Sequence, residues 1–228
     1  ASGGGYKLDG VKSFVLDGHT ADLVVVLART AQGLSLFTVR GDAAGLQRKL
    51  LKTIDTTRKL AKLSFKSVDA TPLGPVGGAA APFTKTLTRA AVCVANEMVG
   101  VAEKLRESAL DYAKMRMQFG RPIASFQSMK HKQADMLVDV ELAKSAAYYA
   151  AASVDDGDAD LPAIASLAKA SASEAVLQTA IHTIQIHGGI GFTWDNDTHL
   201  WFKRAKSSEV MLGDAAYHRE LMMRHWAA

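Results

Sequence analysis

Apolar residues follow two different rhythms along this chain. In the first third they come in short runs or alternate with polar residues: Tyr6-Lys7-Leu8, Val11 to Leu16, Leu23 to Ala28 with three consecutive valines, Leu34 to Val39, and Leu60 to Val68 with Lys62, Ser64 and Lys66 interposed. Runs this short and a period near two predict β-strands. Asp9-Gly10 predicts a hairpin turn between the first two, because glycine tolerates positive φ. Short strands joined by turn residues predict an antiparallel meander.

The rhythm changes across Pro72 to Pro82, which carries three of the five prolines and reads as a linker or long loop. Beyond it alanine dominates and the spacing becomes helical. A first helix is expected from Thr84 to Met117, stopped by Phe119-Gly120-Arg121-Pro122. Ser125 is placed to cap a second, whose seam runs through Met129, Met136, Val140, Ala143 and Ala147 at steps of three or four residues or their sum. After a charged turn, Asp155 to Asp160, a third helix starts near Pro162 and ends at His187 before Gly188-Gly189. A semi-regular stretch, Thr198 to Val210, leads into a fourth helix from Ala215. The fold class expected is α+β, an antiparallel β-domain over residues 1–75 followed by an all-α four-helix bundle over 76–228.

Composition narrows the function. Apolar residues at 48% and charged residues at 22% of 228 exclude wholesale disorder. The apolar runs are too short to span a bilayer. The 27 basic and 23 acidic residues are interspersed, and a patch such as Lys130-His131-Lys132 is no footprint for nucleic acid. The basic pI of about 9.1 is compatible with anionic ligands. A lone cysteine, Cys93, fits a reducing compartment, and a cytoplasmic location is the expectation. The chain opens Ala-Ser-Gly-Gly-Gly without methionine and enters strand-like sequence at once, as expected of a fragment missing its upstream part.

The seven histidines form no metal-ligand spacing. No Gly-x-Ser-x-Gly elbow and no phosphate loop occurs. Gly188-Gly189-Ile190-Gly191 lacks the dinucleotide spacing and follows a helix instead of a strand. Read alone, those glycines are a helix cap and a tight turn.

Together, two segments say more. The run Tyr112-Ala-Lys-Met-Arg116-Met-Gln-Phe119-Gly120-Arg-Pro-Ile123-Ala-Ser-Phe126-Gln127 and the later Gln185-Ile-His-Gly188-Gly189-Ile-Gly191-Phe192 closely resemble the acyl-CoA dehydrogenase family. Upstream, Tyr6 to Leu27, with Leu8-Asp9-Gly10-Val-Lys12-Ser-Phe14-Val-Leu16, is similar to the hairpin of that family's middle domain that ends at the flavin. The resemblance covers nearly the whole chain and omits the family's N-terminal helical domain. It implies an FAD flavoprotein acting on an acyl-CoA thioester, with proton removal at one carbon and hydride transfer from the next. It further implies a homo- or hetro-oligomer of acyl-CoA dehydrogenase-type subunits, with electron-transfer flavoprotein as a possible acceptor. By the same resemblance Arg116, Gln118, Phe119 and Gln127 hold the FAD pyrophosphate and adenosine of a neighbouring subunit. Gln185, Gly188 and Gly189 come from the partner chain, and Phe14 takes the place of an aromatic beside the isoalloxazine. An arginine fork matches phosphate oxygens, and glycine lets backbone approach a ligand closely.

Two departures from the family pattern bear on chemistry. The loop position that carries the family's base falls on Leu212, and the alternative position on the first helix falls on Ala90. Thr88 and Ala91 stand where CoA-binding residues are expected. Neither leucine nor alanine accepts a proton, which leaves Asp214 and Glu209 as nearby carboxylates. Three readings follow: a cofactor-sharing subunit without its own base, working in a hetero-oligomer; a competent dehydrogenase using Asp214 or Glu209; or a non-flavin interaction module retaining only the fold.

Overall fold

The computed structural model describes residues 5–227, in two compact units that divide between Thr86 and Leu87. The opening Ala-Ser-Gly-Gly, read above as a sign of a missing upstream part, lies outside the described residues.

The first unit is an antiparallel sheet of five strands: β1 (Tyr6–Leu16), β2 (Leu23–Thr30), β3 (Gly33–Arg40), β4 (Leu46–Leu50) and β5 (Leu60–Leu73). Strand order is β1-β5-β3-β2, with β4 also paired to β5. Only β2–β3 and β4–β5 join neighbours in sequence, so the sheet is antiparallel as expected but is not a simple meander. The long β5 serves as its spine, pairing with β1 from Leu60 to Ala70, with β4 near its start and with β3 at its end. Val24, Val26, Phe37, Val39, Ala61, Leu63, Phe65 and Val68 form the core, whereas Leu23 and Val25 of the apolar β2 run face outward.

The expected Asp9-Gly10 hairpin does not form. β1 is one continuous strand, and Gly10, at φ 140°, sits in an irregularity between Leu8 and Gly10 opposite β5. The Asp9 carboxylate accepts the Ser67 amide across this bulge at 2.8 Å. Ser67 itself has φ 51°, which explains why the buried positions of β5 move from Phe65 to Val68. A second irregularity, between Lys12 and Val15, contains Phe14.

The proline-rich stretch is less loop than expected. β5 runs to Leu73, and α1 (Ala80–Met115) already begins at Ala80. Pro82 lies in its first turn, where a missing N–H costs no intrahelical bond. The helix ends at Met115, not Met117, because Met117–Gln118 (β6) pairs with Arg121–Pro122 (β7) in a miniature hairpin. Ser125 does not cap the next helix: its hydroxyl donates to Pro122 O, and α2 (Gln127–Asp156) follows a short 3-10 turn with Phe126 at the cap. α2 ends at Gly157, at φ 68°. α3 (Leu161–His187) begins with Pro162 in its first turn. The semi-regular stretch is a helix, α4 (Thr198–Val210), and α5 (Ala215–Trp226) completes the bundle, so two shorter helices share the fourth place.

α3 is the central rod. α2, α4 and α5 pack on it, and its alanines at 163, 165, 168, 172, 175 and 180 let backbones approach closely. The Val92, Ala95, Met98, Val99, Ala102 and Leu105 stripe of α1 joins the same core. Asn96 donates to Ala147 O at 3.2 Å, Thr183 donates to Leu105 O at 3.3 Å, and Glu97 pairs with Arg204. The expected α2 seam is buried at Met136, Val140, Ala143 and Ala147.

Candidate functional site

The end of α1 builds the first part of the site. Arg116 leaves the helix while its N–H still bonds Tyr112 O, and its carbonyl accepts from Ile123 N at 2.8 Å. This second bond closes the β6–β7 hairpin. Its turn is Phe119-Gly120, with φ 53° and 76°; positive φ at both central residues is what a type I′ turn requires. Phe119 is therefore a large side chain in left-handed backbone, and it is 92% exposed. Its only ring neighbour among the described residues is the half-buried Phe126, edge-on at 6.1 Å, which in turn carries the Arg121 guanidinium at 4.1 Å. The structure thus gathers Arg116, Gln118, Phe119 and Gln127 onto one exposed hairpin and helix start.

The end of α3 builds the second part. Tyr112 stacks on His187 at 4.3 Å, and Ile186 joins Ala109, Ala113 and Met136 in a small core. Within one chain, the Tyr112–Arg116 turn and the Gln185–Gly189 turn are thereby packed side by side, whereas the expectation drew them from different chains. Gly188 has φ 67° and ψ −144°, a conformation for glycine alone. Gly191 is explained by packing, since a Cβ there would lie 3.2 Å from His187 Cβ. Gly189 has neither reason: its φ is not positive, and an added Cβ would meet nothing of this chain. The side chains of Arg116, Gln118, Gln127 and Gln185 are exposed and form no hydrogen bond or ion pair among the described residues. Uncommitted donors beside an open glycine fit an anionic group with a flat apolar portion, as FAD has.

The third part is the connector between α4 and α5. Leu212 stands at φ 61° and 37% exposed, followed by Gly213 at φ 108°. Both candidate carboxylates are engaged. Glu209 is largely covered and pairs with Lys206 at 2.6 Å, while Asp214 caps α5 by accepting the Tyr217 amide at 2.8 Å. On α1, Ala90 and Thr88 are half-buried and Ala91 is buried in the bundle. Phe14 belongs to the other unit, where it is 70% exposed at φ 59°. Among the described residues five non-glycines have positive φ, and three of them are Phe14, Phe119 and Leu212. Such strain concentrates where function holds it.

Beneath the connector lie two side chains that the sequence reading passed over. Lys169 of α3, wholly buried, donates to Ser173 Oγ at 3.0 Å, Glu209 O at 3.0 Å and Gly213 O at 2.9 Å. Burial pulls its ammonium down to about 8, with Glu209 and Asp214 opposing. His218 of α5 donates from Nε2 to Leu212 O at 3.1 Å and accepts at Nδ1 from Ser166 Oγ at 3.4 Å. Burial first, then the Lys169 charge, lowers His218 below the usual imidazole value, so it is neutral at pH 7. The available signal was a single lysine amid the alanines from Ala163 to Ala172.

Residues 80–227 match the family model of the acyl-CoA dehydrogenase C-terminal domain. The acyl-CoA dehydrogenase IpdE2 of Mycobacterium tuberculosis is 39% identical over 199 residues, which are 87% of this chain and 55% of that protein. Butyryl-CoA dehydrogenase from Megasphaera elsdenii superposes with a TM-score of 0.94 at 27% identity, over 100% of this chain and 62% of that one. A chain of the ChsE4–ChsE5 complex from Mycobacterium tuberculosis gives 0.89 at 27% identity, over 100% and 61%. With its antiparallel sheet, helical bundle and paired Arg-x-x-Phe-Gly and Gln-x-x-Gly-Gly segments, the chain belongs to the acyl-CoA dehydrogenase family. It spans less than two thirds of the length of these relatives. No helix among the described residues is long and apolar enough to cross a membrane.

Proposed function

We propose that this chain is an FAD-sharing subunit of an acyl-CoA dehydrogenase, one that carries no base of its own and acts with a base-bearing family subunit in a hetero-oligomer. The observation that carries this reading is Leu212: a neutral side chain held at left-handed backbone in the loop where the resemblance expects a carboxylate. Arg116 and the three glutamines supply uncommitted donors for the cofactor's phosphates and polar edges, Phe119 a ring face, and Gly188-Gly189 a backbone approach. FAD, when bound, supplies the hydride acceptor for α,β-dehydrogenation of an acyl-CoA thioester, and electron-transfer flavoprotein is the acceptor beyond it. The α-proton has no acceptor at Leu212 or Ala90, so it leaves to a carboxylate of the partner subunit. That a fold neighbour is named as a complex of two different chains supports the assembly.

The test is dehydrogenation of acyl-CoA with FAD and an artificial electron acceptor, by the chain alone and with its partner subunit. The chain alone is expected to be inactive, and Leu212→Glu is expected to create α-proton exchange in bound acyl-CoA. A positioned base contributes on the order of 100- to 10,000-fold, so the exchange is measurable well before full turnover. Turnover by the partner-free chain that disappears in Asp214→Asn overturns the proposal in favour of a self-sufficient enzyme. Absence of flavin absorbance under every condition favours the interaction module instead.

A further inference from the structure

The connector between α4 and α5 is held from below by one side chain of α3 and one of α5 itself. Three carbonyls, that of Glu209 at the end of α4 and those of Leu212 and Gly213 in the connector, accept hydrogen bonds from the buried Lys169 and His218. Its own backbone bonds are few and long: Met211 N reaches Ser208 O at 3.3 Å, and Gly213 N reaches Val210 O at 3.3 Å. Leucine is a poor residue for a φ of 61°, and bonds of this length do not impose it.

We infer that Lys169 and His218 are positioning residues that clamp the connector and so set the direction of whatever side chain stands at position 212. Lys169 spans the turn, taking one carbonyl before it, at the end of α4, and one after it. A cation at a helix C-terminus also meets the negative end of the helix dipole. His218 takes the intervening carbonyl, that of Leu212, so the strained residue is gripped at its own peptide. Ser173 and Ser166 complete the set, directing the ammonium and the imidazole from one face of α3. The charged groups facing this cluster are Glu209 from α4 and Asp214 from the start of α5; neither carboxylate accepts a hydrogen bond from Lys169 or His218, and both act on the Lys169 charge at longer range. The clamp is therefore built on neutral carbonyls, and it works unchanged whichever residue occupies position 212.

The catalytic consequence rests on the reading of position 212 given above, whereas the clamp itself does not. Hydrogen exchange of the complete chain, in wild type and in Lys169→Met, reads the clamp without cofactor or substrate. The Met211 and Gly213 amides are expected to exchange at least tenfold faster in the variant, with amides of α1 near Leu105 unchanged. Unchanged exchange in the connector overturns the inference, and so does an equal acceleration throughout the bundle, which would mark Lys169 as a general packing residue. Where Lys169→Met does not fold, the wild type and His218→Ala decide. Protection of Gly213 below tenfold in the wild type, or no acceleration in His218→Ala, overturns the clamp. In the Leu212→Glu background, adding Lys169→Met is expected to lower α-proton exchange at least tenfold with acyl-CoA affinity unchanged. If Leu212→Glu alone shows no exchange, the reading of position 212 fails while hydrogen exchange still judges the clamp.

Discussion

Phe119 holds left-handed backbone with its ring almost entirely in solvent, a combination that stability alone does not favour. Replacing it with glycine removes a strain of roughly 1 kcal/mol and forfeits one edge-on ring contact of roughly 0.5–1.5 kcal/mol. Phe119→Gly is therefore expected to change the unfolding free energy by no more than about 1 kcal/mol, since these terms oppose one another. It should nonetheless lower flavin occupancy, read by absorbance after gel filtration. The glycines make a matched pair. Gly189→Ala places a methyl in open space, so stability is expected to stay within about 0.5 kcal/mol while flavin retention falls. Gly191→Ala pushes a methyl to 3.2 Å from His187 Cβ and 3.3 Å from Ile184 O, and should destabilise by roughly 1–3 kcal/mol in urea titration. Equal effects of the two substitutions on stability would contradict the assignment of Gly189 to a ligand.

At the scale of elements, α3 governs the bundle because its small residues let α2, α4 and α5 come close on different sides. Ala168 is fully buried and Ala172 almost so. Ala172→Leu is expected to cost roughly 1–3 kcal/mol by overpacking, measured as a lower denaturation midpoint at constant slope. The helical elements were legible because their punctuation is local: Pro162 opens α3, Gly188 closes it, and the Met136–Ala147 seam recurs at helical steps. Where contacts distant in sequence decide, local reading failed. Asp9-Gly10 looks like a hairpin turn, but the Ser67 amide across the sheet draws Asp9 into a bulge. The break between α4 and α5 escaped for the same reason, since its turn is held by Lys169 of α3, forty residues before Glu209.

For the whole molecule, Lys169 links stability to pH. Its ammonium is disfavoured by burial, so the unfolded chain holds that proton more tightly between about 8 and the ordinary lysine value of 10.5. Below pH 8 both states are protonated and the burial cost is fully present. Between about 8 and 10.5 only the unfolded state keeps the proton, so this group makes the unfolding free energy rise with pH. Urea titrations of wild type and Lys169→Met across that window should show this rise in their difference. A flat or falling difference would mean that the ammonium is no worse solvated inside than out.

The residue order by itself determined the α+β class, the change from sheet to bundle, and the helix ends beside Arg116 and Gln185, because periodicity, glycine and proline act over a few neighbours. It also determined that positions 212 and 90 carry no carboxylate. Tertiary structure alone decided the strain at Phe14 and Leu212 and the packing of Tyr112 on His187. It also turned Lys169, one lysine among alanines, into the buried support of a loop forty residues away. Such roles arise from desolvation and from carbonyls left unpaired at helix ends, and both exist only once distant segments have packed together.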